Sequence, residues 1–243
     1  MLIKEKINMD VPELFKNGAI TIVAFGDSVT HGCAAGGEMI YDEVYHNRLK
    51  KIILAKRDFV PVNVINSGIG STTASWSLER LERDVVAYSP DLVIVCFGLN
   101  DCGYPLEKYV DALDKIFARC KEIGAQTIFL TPNMLNTKPL PEGDEGLIEF
   151  SKETARRQNE GIFDLYINEG KKVAEKHGVQ IADAYAKWKE MAANGIDTDK
   201  LLANGINHPT PEMHQLFADE IMKLIFSDDD EISTTVELGL DKK

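Results

Sequence analysis

The chain has no long apolar run, no paired cysteines and too little positive charge to balance its acid, and each shortage removes a class of function. No stretch of the 243 residues approaches the ~18 consecutive apolar residues of a transmembrane helix. Residues 1–16 alternate charged and apolar side chains and lack the apolar centre of a secretory signal. Cysteine is sparse: Cys33, Cys96, Cys102 and Cys120 form no C-x-x-C pair, and no histidine stands at metal-ligand spacing from them. That pattern predicts reduced thiols and a cytoplasmic location, not a disulfide framework or a metal site. Lys and Arg number 27 against 39 Asp and Glu, for a net charge of -12. With no basic stripe to neutralise phosphates, the composition argues against a nucleic-acid partner, and a membrane surface or strongly anionic substrate is disfavoured for the same reason.

What is present is a regular alternation. Short apolar runs at 19–25, 62–65, 91–97, 126–130 and 179–183 alternate with amphipathic stretches near 38–56, 74–88, 105–123, 147–176 and 184–193. This reads as βαβ units on a parallel sheet. The run at 91–97 is apolar on consecutive positions, as a central strand covered on both faces should be. A last helix is expected at 211–226, with Thr210 as its cap and Pro211 at its first position. With no repeat and no linker, residues 1–227 are expected to form one domain. The acidic stretch 228–243 lacks a helical period and is expected to be loosely held. The Pro-, Gly- and Asn-rich segment 132–146 reads as a long loop, in the role of a lid or specificity element.

In a parallel sheet all strands end at one edge, where ligands bind. The turns there are GDSVTHG (26–32), NSGIGSTTA (66–74) and GLNDCG (98–103), with NGINHPT (204–210) leading into the last helix. The first turn fits neither G-x-S-x-G nor a P-loop nor G-x-G-x-x-G, which lowers the nucleotide-binding readings. It leaves a serine, Ser28, beside backbone amides at a helix start, where an anion or oxyanion is stabilised. Serine chemistry needs a base. His46 lies mid-helix and suits packing. His177 precedes Gly178 at a helix end, where a cation favours the dipole. His214 falls one turn into the last helix and suits packing or capping, and His31 is a turn neighbour of Ser28. His208, in a loop before Pro209, remains the candidate base.

The four blocks, taken in order from residue 20 to 226, resemble the SGNH hydrolases, also called GDSL esterases and lipases. The resemblance implies a three-layer α/β/α sandwich on a five-stranded parallel sheet in flavodoxin-like order. It implies Ser28 as nucleophile and first oxyanion donor, Asn100 as a second donor, and His208 as base. Strict counting puts the third donor at Ser71 and a one-residue shift puts it at Gly70; Gly70 is favoured because close backbone approach suits glycine. Asp27 and Asp101 are expected to fix turns by accepting backbone N–H bonds, and Cys102 to be inert. No metal or organic cofactor is implied; the partner expected is a small-molecule ester. Carbohydrate-active members of the family suggest small O-acyl groups, including acetylated sugars. A thioesterase or lysophospholipase on the same site, or a binding module without turnover, are the rival readings. One departure stands out: the family's orienting Asp, three residues before the histidine, is here Gly205. His208 is therefore expected to be held by a neutral acceptor: first a backbone carbonyl in 202–206, then a water or the side-chain oxygen of Asn204.

Overall fold

The computed structural model describes residues 2–226, so the acidic stretch 228–243 and the expectation attached to it lie outside the described residues. Five strands, β1 (Ile20–Gly26), β2 (Val62–Gly68), β3 (Leu92–Cys96), β4 (Gln126–Leu130) and β5 (Gln180–Ala182), form one sheet in the order β2-β1-β3-β4-β5. Every neighbouring pair is parallel. This is the flavodoxin-like order expected, with its switch between β1 and β3. Every residue of β3 is buried, as the unbroken apolar run required.

The helices are α1 (Ile3–Ile7), α2 (Val11–Asn17), α3 (Ser28–His31), α4 (Tyr45–Lys56), α5 (Ala74–Ser77), α6 (Leu81–Asp84), α7 (Leu106–Glu122), α8 (Glu145–Asn159), α9 (Ile162–His177), α10 (Ala184–Ala193) and α11 (His214–Ile225). They cover both faces of the sheet: α4 packs with α11, and α7 with α9. The stripe Tyr109, Ala112, Leu113, Ile116, Phe117 and Cys120 recurs every three or four residues and is what α7 buries. No described helix is long and apolar enough to cross a membrane.

Several boundaries differ from the pattern-based expectation. The stretch 147–176 is two helices, because Gly161 takes a left-handed φ of 75° between them. The stretch 74–88 breaks into short turns, and the stretch at 38–56 becomes helical only at Tyr45. Thr210 makes no side-chain cap; Pro211–Met213 is a 3-10 turn ahead of α11. The segment 132–146 is not a lid along its length, since Pro132 to Asn136 are buried. Its asparagines work inward. Asn133 Nδ2 donates to the Asn207 carbonyl at 2.9 Å, and Asn136 Nδ2 to the Ser151 carbonyl at 2.9 Å. Polarity there satisfies buried backbone instead of meeting water.

Candidate active site

The register puts Gly26, Gly68 and Cys96 level with one another across β2, β1 and β3. The first three sequence blocks therefore leave the sheet at one edge. Close approach requires glycine at two of these ends. A Cβ on Gly26 would stand 2.1 Å from Thr30 Oγ1 and 2.6 Å from the Cys96 carbonyl, and one on Gly68 would stand 2.2 Å from the His31 nitrogen. Any side chain would push α3 off the strands. Ser28 opens α3, so its N–H has no partner within the helix. Asp27 caps that helix by accepting from Val29 N at 3.0 Å.

His208 reaches the same point from the far end of the chain. Its Nε2 lies 3.0 Å from Ser28 Oγ, and its Nδ1 lies 3.1 Å from the Ala34 carbonyl oxygen. A carbonyl only accepts, so Nδ1 carries the proton and Nε2 is left to accept from the Ser28 hydroxyl. Burial holds the His208 pKa below the ordinary imidazole value, against the partial opposition of the Ala34 carbonyl. Among the described residues no carboxylate hydrogen-bonds the ring. The expected neutral acceptor is present, yet it comes from neither 202–206 nor Asn204.

The reason lies in both segments. Residues 33–39 fold into a small hairpin, with Cys33 bridged to Met39 and Ala34 N donating to the Glu38 carbonyl at 2.9 Å. Gly36 and Gly37, at φ 60° and 82°, turn it, and Ala34 O is carried to the imidazole. Asn204 is committed elsewhere: its Oδ1 accepts from Ile206 N, Asn207 N and His208 N at 3.0, 3.0 and 2.9 Å. Its Nδ2 donates to Asn207 Oδ1 at 2.8 Å. Asn204 thus folds the loop that delivers His208 and does not touch the ring. Gly205 has φ 67°, and a Cβ built there would meet Leu140 Cδ2 at 2.8 Å.

The other candidates divide between the site and the scaffold. A Cβ built on Gly70 would stand 3.8 Å from Ser28 Cβ, so this glycine lies alongside the serine, whereas Ser71 is exposed in a left-handed turn at φ 62°. Asn100 is held by donation from Nδ2 to the Thr72 carbonyl at 2.9 Å, which leaves the second amide hydrogen available. Asp101 accepts from Ala74 N at 2.9 Å and Gly98 N at 3.0 Å, tying the second block to the third. Asp27 and Asp101 are the turn-fixing carboxylates expected. Burial pushes each up to about 7, with Asp101 adding its charge to the effect on Asp27. Cys102 is buried, its thiol pushed up to about 11. His46 and His214 are buried and depressed by burial to about 4 and about 3. They are core residues. His177 ends α9 beside the left-handed Gly178 and pairs with Asp114 at 2.7 Å. His31 brings its ring near Gly70 but makes no hydrogen bond with Ser28.

No group of three or more His, Cys, Asp or Glu suited to a metal occurs among the described residues. A cavity of about 590 Å³ opens at the opposite sheet edge, between Phe117, Gln126 and Gly178, away from Ser28 and His208. Sequence reasoning missed Ala34. An alanine advertises nothing, and only the Gly36–Gly37 pair signals the turn that presents its carbonyl.

A family model described as "GDSL-like Lipase/Acylhydrolase family" matches residues 24–216, a span that includes both Ser28 and His208. The chain is 24% identical over 200 residues to an arylesterase of Vibrio mimicus, covering 82% of this chain and 84% of the relative. Its fold is similar to that of an alpha/beta hydrolase enzyme from the metagenome of Lake Arreo, Spain. That match has a TM-score of 0.66 and 22% identity, over 85% of this chain and 96% of the other. An acetylxylan esterase from Geobacillus stearothermophilus gives a TM-score of 0.65 at 21% identity, over 85% and 94% of the two chains.

Proposed function

The chain belongs to the GDSL-like lipase/acylhydrolase family, and from that premise we propose that it is a serine esterase removing small O-acyl groups, acetyl above all, through an acyl-enzyme. The observation that carries this reading is the line from the Ala34 carbonyl through the His208 ring to Ser28 Oγ, at 3.1 and 3.0 Å. It is a nucleophile, its base and the group that fixes the base's tautomer.

In this reading His208 Nε2 takes the Ser28 proton as Oγ attacks the ester carbonyl. The oxyanion is held by the N–H groups of Ser28 and Gly70 and by the free amide hydrogen of Asn100. His208 then gives its proton to the departing alcohol, and water repeats the sequence on the acyl-serine. Asp27 and Asp101 take no part in proton transfer; they hold the two turns. The similarity in fold to an acetylxylan esterase supports an acetylated sugar as the alcohol side. The four free cysteines support a reducing, cytoplasmic setting.

The test is a series of p-nitrophenyl esters from acetate to palmitate, together with acetylated xylo-oligosaccharides, assayed on the protein and on Ser28→Ala. Highest kcat/KM on acetate and an inactive, normally folded Ser28→Ala are expected. Retained activity in that variant removes the serine mechanism, and preference for long chains removes the acetyl assignment.

A further inference from the structure

Arg80 is buried to 7% exposure, a rare state for an arginine. It closes the 3-10 turn Leu78–Arg80 between α5 and α6, and its guanidinium lies over the Phe25 ring at 4.5 Å. Its donors go to backbone at the ends of two adjacent strands. Nη1 donates to the Ser67 carbonyl at 2.6 Å and Nη2 to the Gly26 carbonyl at 3.0 Å. Ser77 Oγ accepts from Nη2 at 3.1 Å, and Asp84 Oδ2 lies 3.4 Å from Nη1. The segment around the arginine is itself bolted to β2, since Ser67 Oγ donates to the Asp84 carbonyl at 2.7 Å.

The position matters because each of these carbonyls stands just ahead of a turn of the site. Gly26 pairs with Gly68 on the last rung between β1 and β2. Beyond it one more backbone bond, from Ile69 N to the Gly26 carbonyl at 3.1 Å, joins the two chains before β1 runs into α3 and β2 into the turn at 69–73. Ser28 is two residues past Gly26, and Gly70 is three past Ser67. A guanidinium spanning both carbonyls acts with that backbone bond in setting how far apart those two turns begin, and it adds the Ser67 carbonyl, which the backbone bond does not reach. Stability alone is a poor reason for it, because a buried ion can commonly be replaced by apolar side chains at little cost. A planar fork that reaches two acceptors at fixed separation is something no other side chain supplies.

We propose that Arg80 is a positioning residue: it clamps the ends of β1 and β2 and thereby fixes the spacing of the Ser28 and Gly70 amides that hold the oxyanion. The inference rests on the esterase reading above. Misplacing such donors by a fraction of an ångström weakens binding of the transition state more than of the ester.

Arg80→Lys keeps the charge but cannot span both carbonyls. On p-nitrophenyl acetate it is expected to lower kcat at least tenfold with KM held within about threefold. Affinity for a short alkylboronic acid, which adds to the serine as a tetrahedral anion, should fall by a similar factor. A merely structural arginine would lower the melting temperature while leaving kcat and boronate affinity of the folded variant unchanged. That outcome, or a loss confined to KM, overturns the proposal. If Arg80→Lys does not fold, Ser77→Ala removes one brace of the guanidinium and should still lower kcat several-fold at constant KM; unchanged kcat there also overturns it. Ser28→Ala separates the two levels. If it keeps its rate, the esterase reading fails, whereas an inert Ser28→Ala beside an unaffected Arg80→Lys removes the clamp alone.

Discussion

Replacing Asn204 by alanine removes an acceptor on which three consecutive backbone amides converge, at 3.0, 3.0 and 2.9 Å. A hydrogen bond of this kind contributes about 1 kcal/mol net, and an amide left unpaired and half-buried costs about as much. Three of them, discounted for partial access to water, come to roughly 2–3 kcal/mol. In a domain of this size each kcal/mol moves Tm by about 2–4 °C, so Asn204→Ala should melt roughly 4–12 °C lower. The loop that loses them ends in His208, and displacing a catalytic group by about 1 Å costs on the order of 10² in rate. A fall of kcat by tens- to a hundredfold with little change in KM is therefore expected on p-nitrophenyl acetate, although the side chain never touches the imidazole. Asn204→Asp keeps the acceptor, and its second oxygen takes the place of the donor to Asn207 Oδ1, so the Asn207 amide must turn its NH₂ toward it. It should lie much nearer the wild type in both Tm and kcat. If Asn204→Ala matches the wild type in both, or if Asp is no better than Ala, the three-amide acceptor is not what delivers His208.

The same geometry sets three further outcomes. Gly205→Asp should not restore an acid partner for His208, because the left-handed backbone at φ 67° aims the new side chain at Leu140; reduced Tm without a gain in kcat is expected, and a gain would refute that placement. Gly70→Ala should fold normally, since its methyl group would meet neighbours only at 3.8–3.9 Å, yet lower kcat/KM about tenfold or more by crowding the space beside Ser28 that the acyl group must enter; an unaffected rate would mean that the substrate does not use that space. The pH profile should carry the sign of a depressed base: His208 must be neutral to act and burial lowers its pKa, so kcat/KM should fall only as pH drops below about 6.5. An acid limb with its midpoint above that value would contradict the neutral partner at Ala34.

In the proposed reaction that neutral partner changes what His208 can do. A carboxylate both orients an imidazole and stabilises the imidazolium that forms during attack. The Ala34 carbonyl does the first fully, and the second only as a dipole. Asn204 in that role would carry an ambiguity, since its amide can present NH₂ or oxygen to the ring. The Ala34 carbonyl presents one face, and its hairpin is fixed by the Cys33–Met39 bridge.

Much of this was legible in the chain itself. Five apolar runs with helical stretches between them require a parallel sheet, because only helices on both faces can bury strands such as Leu92–Cys96 from both sides. The blocks around Ser28, Gly70 and Asn100 come after successive strands of that sheet, so topology alone dictates their shared edge. Asp27 could be read as a turn-fixer because a carboxylate after a glycine at a strand end acts locally, here on Val29 N. Asp101 fixes its own turn through Gly98 N in the same way, while its reach to Ala74 N, 27 residues away, shows only in the fold. Other features were beyond local reading. Where α8 ends and α9 begins hangs on one left-handed glycine, Gly161, inside a continuous amphipathic pattern. The buried asparagines of 132–136 look like loop residues until their distant partners are in place. The orienter of His208 lies 174 residues away from it, and it is a backbone carbonyl, a group every residue carries. Arg80 looks like one more charge in an amphipathic stretch until two strand ends close around it. Side-chain identity announces chemistry that the side chain performs; work done by a carbonyl, or by a fork aimed at carbonyls, is decided only when the chain is folded.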